Sequence, residues 1–167
     1  MSFGYLCGRA QMLLQINNQH RATFSKGGAM VSLQKRYTVL IISREPQSVG
    51  PLVALLKGRG HIVCFARSER ETIKTLQSCR VDMLFLDIDM IDDPVIDFIS
   101  IIRNMDRNIA IITLGSVYDT EGGDLEPRLR AQGVLACRGK PLGELEAGWL
   151  VESVERYMER QRKKAVM

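Results

Sequence analysis

Three polar residues stand at the ends of apolar runs, and their types suit one chemistry. Asp87 follows Val81 to Leu86, Thr113 lies at the end of Ile109 to Leu114, and Lys140 comes shortly after Val134 to Cys137. A carboxylate, a hydroxyl and an ammonium brought to one place fit a small anion, most naturally a phosphoryl group. Asp87 could carry it, Thr113 could donate to one oxygen, and Lys140 could neutralise another. A fourth apolar run, Thr38 to Ile42, ends in Ser43, Arg44 and Glu45. These residues act together only if the runs that carry them end side by side.

The pattern of the chain supplies a fold in which they do. Thr38-Val39-Leu40-Ile41-Ile42 is a continuous β-branched and aliphatic run, as expected of a strand buried on both faces. Pro46 opens a predicted helix with Val49, Leu52, Val53, Leu55 and Leu56 inward, closed by Gly58 and Gly60. His61 to Ala66 is a second strand. Ser68-Glu69-Arg70-Glu71 has the form of a capping box and starts a helix reaching about Cys79. Val81 to Leu86 is the third strand. Asp93-Pro94 then starts a helix by N-cap and N1 preference, with Ile96, Phe98, Ile99, Ile102 and Met105 inward. Ile109 to Leu114 is strand four, a short helix covers about Asp124 to Ala131, and Val134 to Cys137 is strand five. A long helix from about Gly143 to Arg162 closes the chain.

Five strands alternating with five helices require right-handed crossovers and a parallel sheet covered on both faces. Such sheets bind ligands at the carboxyl ends of their strands, where Asp87, Thr113, Lys140 and the Ser43–Glu45 loop are expected.

Composition removes several function classes. The chain has 167 residues, 46% hydrophobic and 25% charged, enough for one ordinary domain, and no apolar run approaches the roughly 18 residues that span a bilayer. The net charge of +4 would suggest nucleic acid, but it sits at the ends. Residues 1–36 carry +5 with no acid, residues 156–167 carry +4, and residues 37–155 are left at −5. Cys7, Cys64, Cys79 and Cys137 form no CxxC pair, and with only His20 and His61 beside them they make a poor zinc set. They read as thiols of a reducing, cytoplasmic compartment. The chain thus divides into a basic, flexible N-terminal extension (1–36), a globular part (37–160) and a basic tail (161–167). The extension lacks the apolar run of a secretory signal, and its acid-free composition also fits a transit peptide. Gly58-Arg59-Gly60 follows a helix, so it is no dinucleotide fingerprint. There is no P-loop, and too little chain follows the last helix for a helix-turn-helix.

The globular part resembles response-regulator receiver domains of the CheY-like type over roughly residues 37–160. The resemblance rests on Leu84-Phe85-Leu86-Asp87 followed by Asp89-Met90, on Thr113, and on Gly133 standing seven residues before Lys140-Pro141. It implies a flavodoxin-like doubly wound sheet in the order 2-1-3-4-5 and a cis Lys–Pro bond. It also implies Asp87 as phosphoacceptor, Thr113 as switch hydroxyl, Lys140 as phosphate-sensing lysine, and Asp89 where a backbone carbonyl completes a Mg²⁺ shell. Partners would be a histidine kinase or phosphotransfer protein and a downstream protein, with a homodimer also compatible. No direct contact with nucleic acid or membrane is implied. The chain would be no enzyme beyond assisting its own phosphorylation and dephosphorylation.

Two departures qualify the resemblance. Receivers usually place two adjacent acids after strand one to hold Mg²⁺, which wants oxygen ligands. Here those positions are Ser43 and Arg44, and Glu45 is shifted one residue on, so a site of Asp87, Asp89 and Glu45 is expected to be weak or absent. Arg44 either pairs with Asp87 in place of metal or points to solvent. The aromatic residue usual on strand five is replaced by Cys137 and Arg138, and the loop 115–123 is about five residues longer than usual. The leading expectation is a phosphorelay receiver phosphorylated on Asp87. The alternative is a phosphorylation-independent pseudo-receiver that docks or dimerises. In either case the last helix is expected to pack on the sheet through an apolar stripe of Leu145, Trp149, Val151, Val154 and Met158, with Glu152–Arg156 and Glu159–Lys163 spaced for ion pairs, and its last turns are expected to project as the output surface.

Overall fold

The structure is a computed structural model and describes residues 35–92, 94–115 and 124–166. The N-terminal residues 1–34, Asp93 and most of the long loop therefore lie outside the described residues. Strands β1 (Thr38–Ile42), β2 (Ile62–Ala66), β3 (Met83–Asp87), β4 (Ala110–Leu114) and β5 (Val134–Arg138) form one parallel sheet in the order β2-β1-β3-β4-β5. Helices α1 (Gly50–Gly58), α2 (Glu69–Ser78), α3 (Val95–Met105), α4 (Glu126–Ala131) and α5 (Glu144–Ala165) cover it. The predicted flavodoxin-like order is the observed one.

Strand periodicity divides the core. Val39, Ile41, Met83, Phe85 and Ile112 point to the face packed by α1 and α5, while Leu40, Ile42, Leu84, Leu86 and Ile111 point to the face packed by α3 and α4. Every residue of β3 and β4 is buried, which accounts for their lack of polar alternation. β3 is the middle strand, so Asp87 is delivered to the centre of the carboxyl edge.

Several predicted boundaries moved. The segment after Pro46 is a 3₁₀ turn (Pro46–Val49), and α1 begins only at Gly50, because Pro51 lacks an N–H and opens a new first turn. Helix α3 starts at Val95 with Pro94 as its N-cap residue, and Met105 is 36% exposed at its end rather than inward. Ser68 caps α2 by accepting from Glu71 N at 3.1 Å, but the Glu71 carboxylate accepts from Arg67 N and not from Ser68.

The largest correction concerns α5. Its buried line is Ala147, Leu150, Val151, Val154 and Met158, whereas Leu145 and Trp149 are 76% and 69% exposed. The predicted stripe joined two faces: at 3.6 residues per turn, Trp149 lies nearly opposite Val151. The helix also runs on to Ala165, so the expected break at 160/161 falls inside one continuous element. The Arg162 guanidinium lies 4.9 Å from the centre of the Tyr37 ring, which holds these last turns on the domain. Glu152 pairs with Arg156 as expected, while the Glu159–Lys163 pair does not form.

Glu155 ties α5 to the sheet. The His61 side chain is 1% exposed; its Nδ1 accepts from Tyr37 N at 3.3 Å, so Nε2 carries the proton and donates to Glu155 Oε1 at 2.7 Å. The other oxygen of Glu155 pairs with Arg59. Replacing Glu155 with alanine leaves a buried imidazole N–H unpaired and is expected to cost about 1–3 kcal/mol. Glu152→Ala, which removes an exposed pair, should cost under about 1 kcal/mol. Urea denaturation of both variants checks the contrast.

Candidate functional site

The site sits at the carboxyl edge of the sheet, where the ends of β1, β3, β4 and the loop after β5 meet. Asp87 is 2% exposed. A buried carboxylate must be paired, and Lys140 supplies the charge: its Nζ donates to Asp87 Oδ1 at 2.7 Å and to Oδ2 at 2.8 Å. The same ammonium lies 3.0 Å from Asp89 Oδ2. Burial pulls the Lys140 pKa down, but the hydrogen bonds and charges of Asp87 and Asp89 together outweigh it and hold it above the ordinary lysine value.

Local structure places each of these groups. The Lys140–Pro141 bond is cis, and the following Leu142 is buried and donates its N–H to Ser48 O, anchoring the lysine loop to the loop after β1. Asp89 N donates to Asp87 Oδ1 at 3.2 Å, so a tight 3₁₀ turn (Ile88–Met90) folds back onto the carboxylate. Ser43 is buried; its hydroxyl donates to Asp87 Oδ2 at 3.3 Å and accepts from Glu45 N at 3.1 Å.

Two contributions escaped sequence reasoning. Ser43 is a direct partner of Asp87 and more than a lost acid. Gly115 has φ +122°, and a Cβ there would stand 2.7 Å from both carboxylate oxygens of Asp89. The bare backbone at 115 is what leaves Asp89 room to face Lys140. The signal available was a glycine two residues past Thr113, but nothing in the sequence shows what lies over it.

Asp87, Lys140 and Asp89 come together, but Asp89 brings its carboxylate to Lys140 and its amide N–H to Asp87, where the resemblance implies a backbone carbonyl. Arg44 does not pair with Asp87. It reaches Asp92 at 3.5 Å with both side chains largely in solvent, because Ser43 turns inward and the next residue on the extended chain turns out. Thr113 is buried on β4 opposite Leu86, and its Oγ1 has no hydrogen-bonding nitrogen or oxygen. Its polar neighbour is the Cys137 thiol across the β4–β5 pairing. Burial pushes that thiol's pKa up, and the Thr113 hydroxyl draws it partly back. Cys64 and Cys79 are free thiols too, both raised by burial.

The donor set does not fit a resident Mg²⁺. The ion wants near-octahedral oxygen ligands. Asp87 and Asp89 already share the Lys140 ammonium, Glu45 is exposed on its loop, and among the described residues no three metal-binding side chains are grouped as such an ion would require.

The sequence matches no family model and no curated protein. Solved structures do match. A CheY-like response regulator receiver domain protein from Methanospirillum hungatei is 15% identical with a TM-score of 0.65, covering 78% of this chain and 99% of its own. A two-component response regulator from Clostridium difficile is 21% identical with a TM-score of 0.62, covering 73% and 98%. A beryllofluoride-activated NtrC4 receiver domain dimer is 18% identical with a TM-score of 0.63, covering 72% and 98%.

Raised above the ordinary value of 10.5, Lys140 contributes stability that is fully present below that value and lost as pH rises through its folded-state pKa. Lys140→Met should therefore be less stable than wild type by about 3 kcal/mol at neutral pH. The gap should narrow above pH 10.5, as checked by denaturant titrations at pH 7 and in alkaline buffer. From residue 35 onward, this chain has the fold of the response-regulator receiver domains.

Proposed function

We propose that this chain is a receiver-fold signalling module that works through protein contacts with its acidic pocket closed by its own lysine, as a pseudo-receiver independent of Mg²⁺-assisted phosphorylation and without catalytic turnover. The observation that carries this is the two-oxygen contact of Lys140 on Asp87, made where the usual second and third carboxylates are replaced by Ser43 and Arg44. Phosphoryl transfer depends on positioning and on neutralising charge on the transferred group. Here the cation that would do so is spent on the resting carboxylate. Output then rests on surface contacts, and α5 supplies apolar ones: Trp149 stands beside a groove of about 420 Å³ that Leu135, Arg138 and Tyr157 also line.

One observation favours the second reading, acceptance of a phosphoryl group on Asp87 from a histidine kinase or phosphotransfer protein. Thr113 Oγ1 is a buried hydroxyl whose polar neighbour is the Cys137 thiol, a weak partner, so it keeps hydrogen-bonding capacity to offer a phosphoryl oxygen.

Titration with beryllofluoride and Mg²⁺, followed by ¹⁹F NMR, separates the two. The pseudo-receiver reading expects no saturable binding to wild type at millimolar Mg²⁺, and binding gained in Ser43→Asp/Arg44→Asp. Saturable binding to wild type that is lost in Asp87→Asn would establish the second reading instead.

A further inference from the structure

Basic residues at the start of the described chain and at its last helix meet in the fold. Lys35 and Arg36 lead into Tyr37, whose ring lies under Arg162 of α5, so the start of the domain and the last turns of its final helix share one place at the amino edge of the sheet. The α1–β2 and α2–β3 connections reach the same edge. Arg59 pairs with Glu155, and Asp82 accepts from Thr38 N at 2.9 Å while pairing with Arg80.

Charge on this edge is sorted by depth. In the Arg80–Asp82 pair the arginine side chain is 84% exposed and the acid 12%; in Arg59–Glu155 the values are 27% and 15%. The acids are recessed and satisfied from within; Arg80 faces out, and Arg59 is partly buried against Glu155. Lys35, Arg36, Arg160, Lys163 and Lys164 are all exposed, and none pairs with another described residue. Glu159 is the exposed acid set against them. The acidic edge with Asp87 and Asp89 lies at the opposite ends of the strands, so a polyanion at the basic edge avoids it.

We propose that this edge is a binding face for the phosphate backbone of duplex nucleic acid, without base sequence preference. Long ammonium and guanidinium side chains at a helix end and on edge loops suit a dense row of phosphates, which binds by releasing condensed counterions. The residues of this edge are long cations suited to phosphates, which position a protein on a duplex without reading its bases. A bilayer is less well matched. Val166 is the exposed apolar residue near the patch, and Leu145 and Trp149 lie at the other end of α5. Phospholipid attraction would then rest on charge without an inserted anchor.

The test uses the full chain and a fluorescein-labelled 20-base-pair duplex, with anisotropy measured across a salt series. Binding should weaken linearly in log–log form, and Arg160→Gln/Lys163→Gln/Lys164→Gln should lower the magnitude of the slope by about 3 and the affinity by about tenfold or more at low salt. Lys35→Gln/Arg36→Gln, at the other end of the sequence, should lower it by about 2. Arg44→Gln, which removes an exposed cation at the opposite edge, should leave both unchanged, and circular dichroism verifies the fold of each variant. Absence of duplex binding, or binding that neither set of substitutions weakens, overturns the proposal. Binding to phosphatidylglycerol vesicles without binding to duplex would overturn it in favour of a membrane surface.

Discussion

A carboxylate buried at the end of the middle strand has to be neutralised, and the carboxyl edge is organised around that requirement. Asp87 is enclosed because β3 is covered on both faces, and a buried, unpaired charge would cost several kcal/mol. Lys140 answers it with two hydrogen bonds, Ser43 and the Asp89 amide with one each. The rest follows from holding those partners in place. Leu142 is buried to anchor the lysine loop, and residue 115 is bare so that Asp89 can approach from the side.

This closure also gives Ser43 and Arg44 their meaning. With further carboxylates at 43 and 44 beside Asp87 and Asp89, one ammonium would face four acids and a metal would be favoured. With a hydroxyl at 43, the count is one buried carboxylate, one flanking carboxylate and one ammonium, and Arg44 is free to turn outward to Asp92. The Thr113 hydroxyl has no oxygen or nitrogen partner among the described residues, and its polar neighbour is the Cys137 thiol.

Much of the fold was legible. The apolar runs at β1, β3 and β4 read as strands because strands buried on both faces admit almost no polar residue. Asp87, Thr113 and Lys140 read as an edge because a parallel sheet gathers strand ends. Less legible was anything decided by packing between elements. Trp149 looks like core by composition, yet helix geometry puts it nearly opposite Val151. Arg44 looked close enough to replace a metal, yet the alternation of the chain sends it the other way. Gly115 matters through a contact with Asp89, which precedes it by 26 positions in the chain.

Charge shows the division most clearly. The sequence by itself determined that the basic residues belong to the two ends and the acidic excess to the middle, since counting needs no coordinates. It also determined the strand–helix alternation, because hydrophobic periodicity is a local property. Only the tertiary structure decided that the end of α5 lies against the start of β1, that Asp82 and Glu155 are recessed beneath their arginine partners, and that Lys140 closes on Asp87. Those outcomes depend on which elements share an edge and which atoms lose contact with water, and neither is a property of residues near one another in the chain.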